Sequence, residues 1–419
     1  IYAKYCGEVI FAGRSSAPSG ASTGSNEIPE LRDGDKARFG GKGTQISVSN
    51  IKTKLDFALK RKEFGDLSKL DEIIKAVNNK PPGKVLGGNG TTAASFALAT
   101  AAAEIYQEPL FLYLAKQYYG ATKVPEKFSI PSPFFNILNG GEHAGGNLKI
   151  QEFMISPTPR NPYPVQLKIA AEVYQELGKL LVQKYGPAAK NLGDEGGFAP
   201  ALDKPDDALE LIEKAIENLG YTGQVKIALD AAASEFYDPK TEIYEVEVGL
   251  KLSAAELIQY WKDLVNKHPA IISIEDGLAE DDYTNWVSLN EELGSRVKIV
   301  GDDLYTTNPV TIQQGISEGW ANALLLKVNQ IGTITEAFEA AKLILDAKQF
   351  VMVSHRSGET TNTVIADLAV AIGAQAIKTG PTARGERIAK YTRLLQIYEY
   401  LEENDLLAVQ ESEPATLDP

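Results

Sequence analysis

The sequence predicts an α/β protein: a C-terminal (β/α)-barrel preceded by a smaller mixed domain. Three observations carry that reading. From about residue 130 onward, short apolar runs alternate with stretches of helical periodicity, as strands and helices do in successive βα units. Those runs are nearly continuous rather than alternating, the pattern of parallel strands covered on both faces. Six of them finish on or beside an ionisable residue: Asp230, Glu275, Asp302, Lys327, His355 and Lys378. In a parallel barrel those strand ends share one face, where the loops build the active site.

The bulk properties set bounds. A chain of 419 residues suits two or three domains, or one barrel with a smaller partner. A net charge of −14 argues against nucleic-acid binding, which would need a basic face. The single cysteine, Cys6, allows no intrachain disulfide and suits a reducing compartment, so a cytoplasmic location is expected. No membrane partner is expected: the longest apolar candidate, Val364 to Ile377, is interrupted by Asp367 and is too short to span. The N-terminus lacks a signal-peptide core.

Taken in order, Glu8 to Ala12 reads as a short strand, followed by the small-residue loop Ala17 to Gly24. Ser47 to Leu114 is mostly helical in period, with Ile51, Leu55, Leu59, Leu70, Ile73, Ile74 and Val77 recurring at helical spacing. Gly87-Gly88-Asn89-Gly90 punctuates it, and Thr91 to Ala103 reads as a close-packing helix of small residues. The bend Ile130-Pro131-Ser132-Pro133 marks the expected boundary, giving an N-terminal α+β domain over 1–125 and the barrel over 126–419. Beyond it, strands are expected at Lys149–Ile155, Lys226–Asp230, Ile271–Asp276, Val297–Asp303, Ala323–Asn329, Phe350–His355 and Ala376–Thr379. Helices are expected at Gln166–Tyr185, Asp207–Leu219 and around Ile365–Ala374. Ser253-x-x-Glu256 and Thr333-x-x-Glu336 are capping boxes that open two more. The acidic tail from Glu402 is expected to fray.

The chemistry follows from the strand ends. Three carboxylates, Asp230, Glu275 and Asp302, converging in a cleft need a cation, and oxygen-only ligation points to Mg2+ or Mn2+ rather than zinc. A lysine close to such a cation has its ammonium form disfavoured, so Lys327 or Lys378 could serve as a general base near neutral pH. Lysine base and metal carboxylates together suit removal of a proton next to a carboxylate, with the metal holding the enolate charge. His355-Arg356-Ser357-Gly358 offers the donors a phosphate wants. His143 sits in a glycine-rich loop, and His268, before Pro269, reads as structural. Glu152, in Gln151-Glu152-Phe153, and Glu195, in Gly193-Asp194-Glu195-Gly196-Gly197, are candidate general acids.

Together these segments resemble the enolase family. Pro18-Ser19-Gly20-Ala21-Ser22-Thr23-Gly24, Ser273-Ile274-Glu275-Asp276, Gly301-Asp302-Asp303-Leu304, Lys327-Val328-Asn329-Gln330, Ser354-His355-Arg356-Ser357-Gly358 and Ile377-Lys378-Thr379-Gly380 run in family order over nearly the whole chain. The resemblance implies a barrel beginning ββαα and a reversible dehydration of 2-phosphoglycerate to phosphoenolpyruvate. It implies that Asp230, Glu275 and Asp302 hold a first Mg2+, and that Ser22 ligates a second that arrives with the substrate. It makes Lys327 the base at C2, and Glu195, paired with Glu152, the acid at the C3 hydroxyl. Lys378 would bind the substrate carboxylate, Arg356 and Ser357 its phosphate, and His143 and His355 would close on it. A small phosphorylated carboxylate substrate and a homodimer are the implied partners.

The sequence departs from the family pattern in several places. An Asp-Ser-Arg-Gly-Asn-Pro-Thr stretch is missing, and a break between Tyr5 and Cys6 is the expected reason. Glu142, Gly277, Gly88-Asn89-Gly90 and Thr361-Asn362 stand where the pattern has other residues. Rival readings are racemisation or cycloisomerisation on the same scaffold, a Schiff-base aldolase using Lys327, and a non-catalytic paralogue with a binding role.

Overall fold

The computed structural model describes residues 1–20, 24–80 and 84–408. The chain opens with an antiparallel hairpin, β1 (Tyr2–Tyr5) and β2 (Glu8–Phe11), in register from Tyr2 opposite Phe11 to Tyr5 opposite Glu8. Its turn is only two residues, Cys6 and Gly7, at φ 49° and 92°. A two-residue turn with both φ values positive matches the twist of the strands it joins.

Helices follow at Gln45–Asn50, Leu67–Asn78, Gly87–Tyr106 and Leu110–Tyr119. The third starts at Gly87, four residues before the expected Thr91. Its first turn packs against the segment that follows Gly24. A Cβ on Gly88 would fall 2.7 Å from Ile28 Cγ2, and one on Gly90 would fall 2.5 Å from Ser47 Oγ. Asn89 receives the Leu31 amide on Oδ1 at 3.0 Å and donates to the Leu31 carbonyl at 3.2 Å. These contacts account for glycine at 88 and 90.

Eight strands then close into one barrel. They are β3 (Ser132–Asn139), β4 (Glu152–Pro157), β5 (Val225–Asp230), β9 (Ile271–Glu275), β10 (Lys298–Gly301), β11 (Ala323–Leu326), β12 (Phe350–Ser354) and β13 (Ala376–Lys378). A small separate sheet of β6 (Tyr237–Asp238), β7 (Ile243–Glu247) and β8 (Leu250–Leu252) lies between β5 and β9 in sequence. β4 runs antiparallel to both neighbours, and every other barrel pairing is parallel. Two helices, Tyr163–Tyr185 and Pro205–Asn218, separate β4 from β5. The barrel therefore starts ββαα, as the resemblance implies.

The first barrel strand, β3, was not expected; Pro131 and Pro133 gave its opening the look of a bend. Helices Tyr283–Leu293, Pro309–Glu318 and Gly385–Glu403 were also not expected. Two expected strands are corrected. The Lys149–Ile155 strand begins three residues later and ends two later, and β11 stops at Leu326 because Val328–Ile331 turns into a short helix capped by Gly332 at φ 116°. Both N-caps form, Ser253 and Thr333 accepting the amides of Glu256 and Glu336, but the reciprocal bond that completes the box is made only at Ser253; at Thr333 the Glu336 carboxylate accepts from the threonine hydroxyl instead. The tail is ordered further than expected. The last helix runs to Glu403, and Phe128 exchanges backbone hydrogen bonds with Leu406 and Ala408 at 2.8 Å.

The barrel interior is a layer of Phe134, Met154, Ala228, Val300, Ala323, Leu325, Met352 and Ala376. Outside it, Ile169, Val173, Leu177 and Leu181 of the Tyr163–Tyr185 helix are fully buried. Each such side chain contributes roughly 1.5–3 kcal/mol. Among the described residues no helix is long and apolar enough to cross a membrane.

Candidate active site

The interior layer determines which side chains reach the barrel mouth. Side chains along a strand alternate between faces. Two residues beyond Ala228 stands Asp230; beyond Val300, Asp302; beyond Leu325, Lys327; beyond Ala376, Lys378. Each continues the inward face to the C-terminal rim. β4 runs the other way, so its first residue, Glu152, two before Met154, arrives at the same rim and sits opposite Asp230. Asp230 is in turn in register with Glu275 of β9.

Lys378 lies across this group. Its Nζ is 3.0 Å from Asp230 Oδ2, 2.8 and 2.9 Å from the two Glu275 oxygens and 3.2 Å from Glu152 Oε1. Burial opposes its charge, but the Asp230, Glu152 and Glu275 carboxylates outweigh that and hold the ammonium well above its usual pKa. Lys327, buried at the next strand end but one, pairs with Asp302, which also accepts a 2.9 Å hydrogen bond from Gln330. Burial disfavours the Lys327 charge, yet the carboxylates of Asp302 and Glu275 raise its pKa overall. Paired with Asp302 alone, the amine is held as an ammonium; the lowered lysine expected from the sequence presupposes a cation on these acids and concerns a different charge balance. Asp302 moves the opposite way, because Lys327 more than offsets the effect of burial and brings its carboxyl below the ordinary range.

The acids outnumber these cations. Burial first, and then the charge of Asp230, push Glu275 well above the carboxylate range. Burial and Glu195 do the same to Glu152, whose Oε2 has no hydrogen-bond partner among the described residues. Oxygen atoms of Asp276, Asp302 and Asp303 lie within 4.8 Å of one another. Asp276 itself accepts the amides of Asp302 and Asp303 at 2.9 Å, fixing the loop that carries them. Surplus buried negative charge on an all-oxygen donor set fits a hard divalent cation.

Glu152, Glu195 and His355 bring ligand-type atoms within 4.8 Å of one another. Glu195 Oε2 accepts from Asn136 Nδ2 at 3.0 Å and lies 3.5 Å from His355 Nε2. Burial drives His355 down to about 3, so its ring is neutral. Arg356 is held bidentately by Glu27, at 2.9 and 3.1 Å, and reaches Asn329 Oδ1 at 3.2 Å. Ser19 and Gly358 exchange backbone hydrogen bonds beside it.

Of the expected residues, Glu152, Glu195, Asp230, Asp302, Lys327, His355, Arg356, Ser357 and Lys378 line one cleft. Glu275 lies immediately beneath, on Lys378. The backbone of His143 closes a short turn over Gly141–His143. Ser22 lies outside the described residues. His268 is apart, buried between Asp206 and Glu213 at 2.9 and 3.0 Å, as a structural histidine should be. Sequence reasoning passed over Glu27, Asn136, Gln330 and Arg387. Gln330 stood inside a quoted motif; the others carry no local signal, since what defines them is a partner far away in sequence.

Comparison with known proteins agrees across the chain. Residues 5–114 match the enolase N-terminal domain and residues 127–414 the enolase C-terminal TIM barrel domain. The chain is 47% identical over 392 residues to an enolase of Methanosarcina barkeri, covering 93% of this chain and 89% of the relative. It is 47% identical over 397 residues to an enolase of Rubrobacter xylanophilus, covering 94% and 89%. To an enolase of Methanopyrus kandleri it is 46% identical over 391 residues, covering 93% and 89%.

Proposed function

The chain belongs to the enolase family and is a phosphopyruvate hydratase, performing the glycolytic dehydration of 2-phosphoglycerate to phosphoenolpyruvate; we propose which of its residues carry that reaction. The observation that carries the assignment is the shared cleft. One lysine base, a buried glutamate pair and an arginine–serine phosphate site all open into it.

Lys327 removes the C2 proton. Glu195 supplies the proton with which the C3 hydroxyl leaves as water, and Glu152, whose carboxyl is pushed upward by burial and by Glu195, replenishes it. Lys378 binds the substrate carboxylate; Arg356 and Ser357 bind the phosphate, the guanidinium bidentately. His143 and His355 close over the substrate. Asp230, Glu275 and Asp302 are the ligands of a first Mg2+, and Ser22 of a second that comes with the substrate. Bound there, the metal would supply positive charge against the carboxylate oxygens of the enolate and occupy the acids that hold Lys327 and Lys378 as ammonium ions. A small phosphorylated carboxylate as partner, a homodimer and a cytoplasmic location complete the reading.

The test separates proton removal from loss of hydroxide. Phosphoenolpyruvate absorbance should grow on adding 2-phosphoglycerate with Mg2+ and stop with EDTA. Lys327→Ala should lose exchange of the C2 proton by a factor of about 10²–10⁴. Glu195→Gln should keep that exchange and lose dehydration. Undiminished exchange in Lys327→Ala would remove Lys327 as the base, and absence of turnover in the wild type would favour a non-catalytic binding role.

A further inference from the structure

Arg387 projects from the helix Gly385–Glu403 into the back of the cleft, and its side chain is about 1% exposed. One guanidinium contacts three consecutive residues. Nη1 donates to the Arg356 carbonyl at 2.6 Å and lies 2.7 Å from His355 Nδ1; Nη2 donates to the Ser357 carbonyl at 2.7 Å. The motifs that identify the site do not include this residue.

The contact with Nδ1 has one chemical reading. A guanidinium has donors only and keeps its proton at any accessible pH. Nδ1 must therefore present its lone pair, and the single proton of the neutral ring must be on Nε2. Nε2 has no hydrogen-bond partner among the described residues and points toward Glu195 Oε2 at 3.5 Å. It is thus a donor aimed into the cleft. The charged and titratable groups around the ring are Glu195, Arg387 and Lys378, with Glu152 beyond Glu195. Adding a second proton would put an N–H of His355 against an N–H of Arg387.

We propose that Arg387 is a positioning residue: it fixes His355 as the neutral, Nε2-protonated tautomer facing Glu195 and the substrate, and pins the backbone that carries the phosphate ligands Arg356 and Ser357. The proposal rests on the roles given above to Glu195, Arg356 and Ser357. Its mechanistic content is that His355 donates a hydrogen bond without adding a positive charge beside the acid. An imidazolium there would stabilise the Glu195 carboxylate and so deplete the protonated form that has to donate.

The tautomer is measurable without turnover, so this test is independent of the functional assignment. Protein labelled with 15N-histidine has three imidazoles to assign, and His143→Gln and His268→Gln identify the other two. The wild type should show His355 with Nδ1 unprotonated and Nε2 protonated, from pH 6 to pH 8. A protonated Nδ1, or a ring that titrates in that range, overturns the proposal whatever the variants do. Arg387→Lys keeps the charge but cannot span His355 and both carbonyls. It should lower kcat by about tenfold and raise KM for 2-phosphoglycerate several-fold, with mixed tautomers at His355. In a His355→Asn background the same substitution should still raise KM but leave kcat within about twofold, because the two residues act in series. Equal kcat losses in both backgrounds would show that Arg387 does not act through His355. If Arg387→Lys retained a single Nε2–H tautomer, the positioning role would fall.

Discussion

Lys378→Met is the most searching perturbation of the charge arrangement. Methionine nearly matches the aliphatic length of lysine and removes only the ammonium. Among the described residues, Glu152, Asp230 and Glu275 all place their ion pairs on this one Nζ, at 2.8–3.2 Å. The lysine and its three partners are each no more than 5% exposed. Removing one partner of a buried pair costs about 3–5 kcal/mol, because it leaves uncompensated charge in place. That is the loss expected for the variant in EDTA. It can be read by urea unfolding followed through Trp261, Trp286 and Trp320, all fully buried in the barrel region. With Mg2+ the same three carboxylates are released to the cation, so Mg2+ should stabilise the variant more than the wild type. At a thousand times its dissociation constant a ligand adds about 4 kcal/mol, enough to restore most of the deficit. Activity should remain abolished in both conditions. A loss below about 1 kcal/mol in EDTA, or equal Mg2+ stabilisation of both proteins, would show that Lys378 is not what neutralises this group.

Two further outcomes follow from other parts of the chain. Asp71, buried and hydrogen-bonded to Thr335 N and Oγ1 at 3.0 and 2.7 Å, is raised by burial to about 6. A carboxyl raised from 3.8 to about 6 on folding binds its proton more tightly in the folded chain. Its stabilising contribution is present below pH 4 and is lost as pH rises through 6, a change of about 3 kcal/mol. Asp71→Asn should flatten that slope in urea unfolding between pH 4 and pH 8. The variant should be more stable than the wild type at pH 8 by about 2 kcal/mol, since a buried amide without a partner gives roughly 1 kcal/mol back. Glu142, in the turn that carries His143, is exposed beside Glu235, whose carboxyl is pushed to about 7 by burial and then by Glu142. Across solvent such a charge acts on an anion with about 0.5 kcal/mol, so Glu142→Ser should lower KM about twofold at low salt and much less at 0.5 M salt.

What was legible in the sequence was what lies along single strands. Asp230, Asp302, Lys327 and Lys378 stand out because each ends an apolar run, and alternation delivers them to one rim. Glu152 escapes that rule. It begins its strand, and only the reversal of β4 carries it to the same place, so its local motif marked it as a candidate acid and periodicity did not. β3 was lost because two prolines open a strand that needs few donors there. Arg387, Glu27 and Asn136 were invisible for a different reason. Arg387 stands 32 positions after the histidine it contacts, and Glu27 329 positions before the Arg356 guanidinium it holds. Nothing local marks such a pairing. Asp302 was legible as a strand-end acid, but not as the partner of Lys327, whose ammonium it favours against the effect of a cation on the same acids.

That carboxylate points to how the cleft handles charge. Each of the three basic groups that line it is matched by an acid: Lys327 by Asp302, Lys378 by Asp230, Glu275 and Glu152, and Arg356 by Glu27. Unmatched, each would face a desolvation penalty of several kcal/mol. A substrate bearing a phosphate and a carboxylate cannot simply be added to such a site, because its charges duplicate those already present. It must exchange with them, taking the basic groups for itself and leaving the acids in need of positive charge. Acids that offer only oxygen, clustered at one rim and with no cysteine among them, are answered by a hard divalent ion. Tight coupling between Mg2+ and substrate is then a consequence of charge balance in the folded chain, with each ligand supplying the counter-charge that the other's partners have given up.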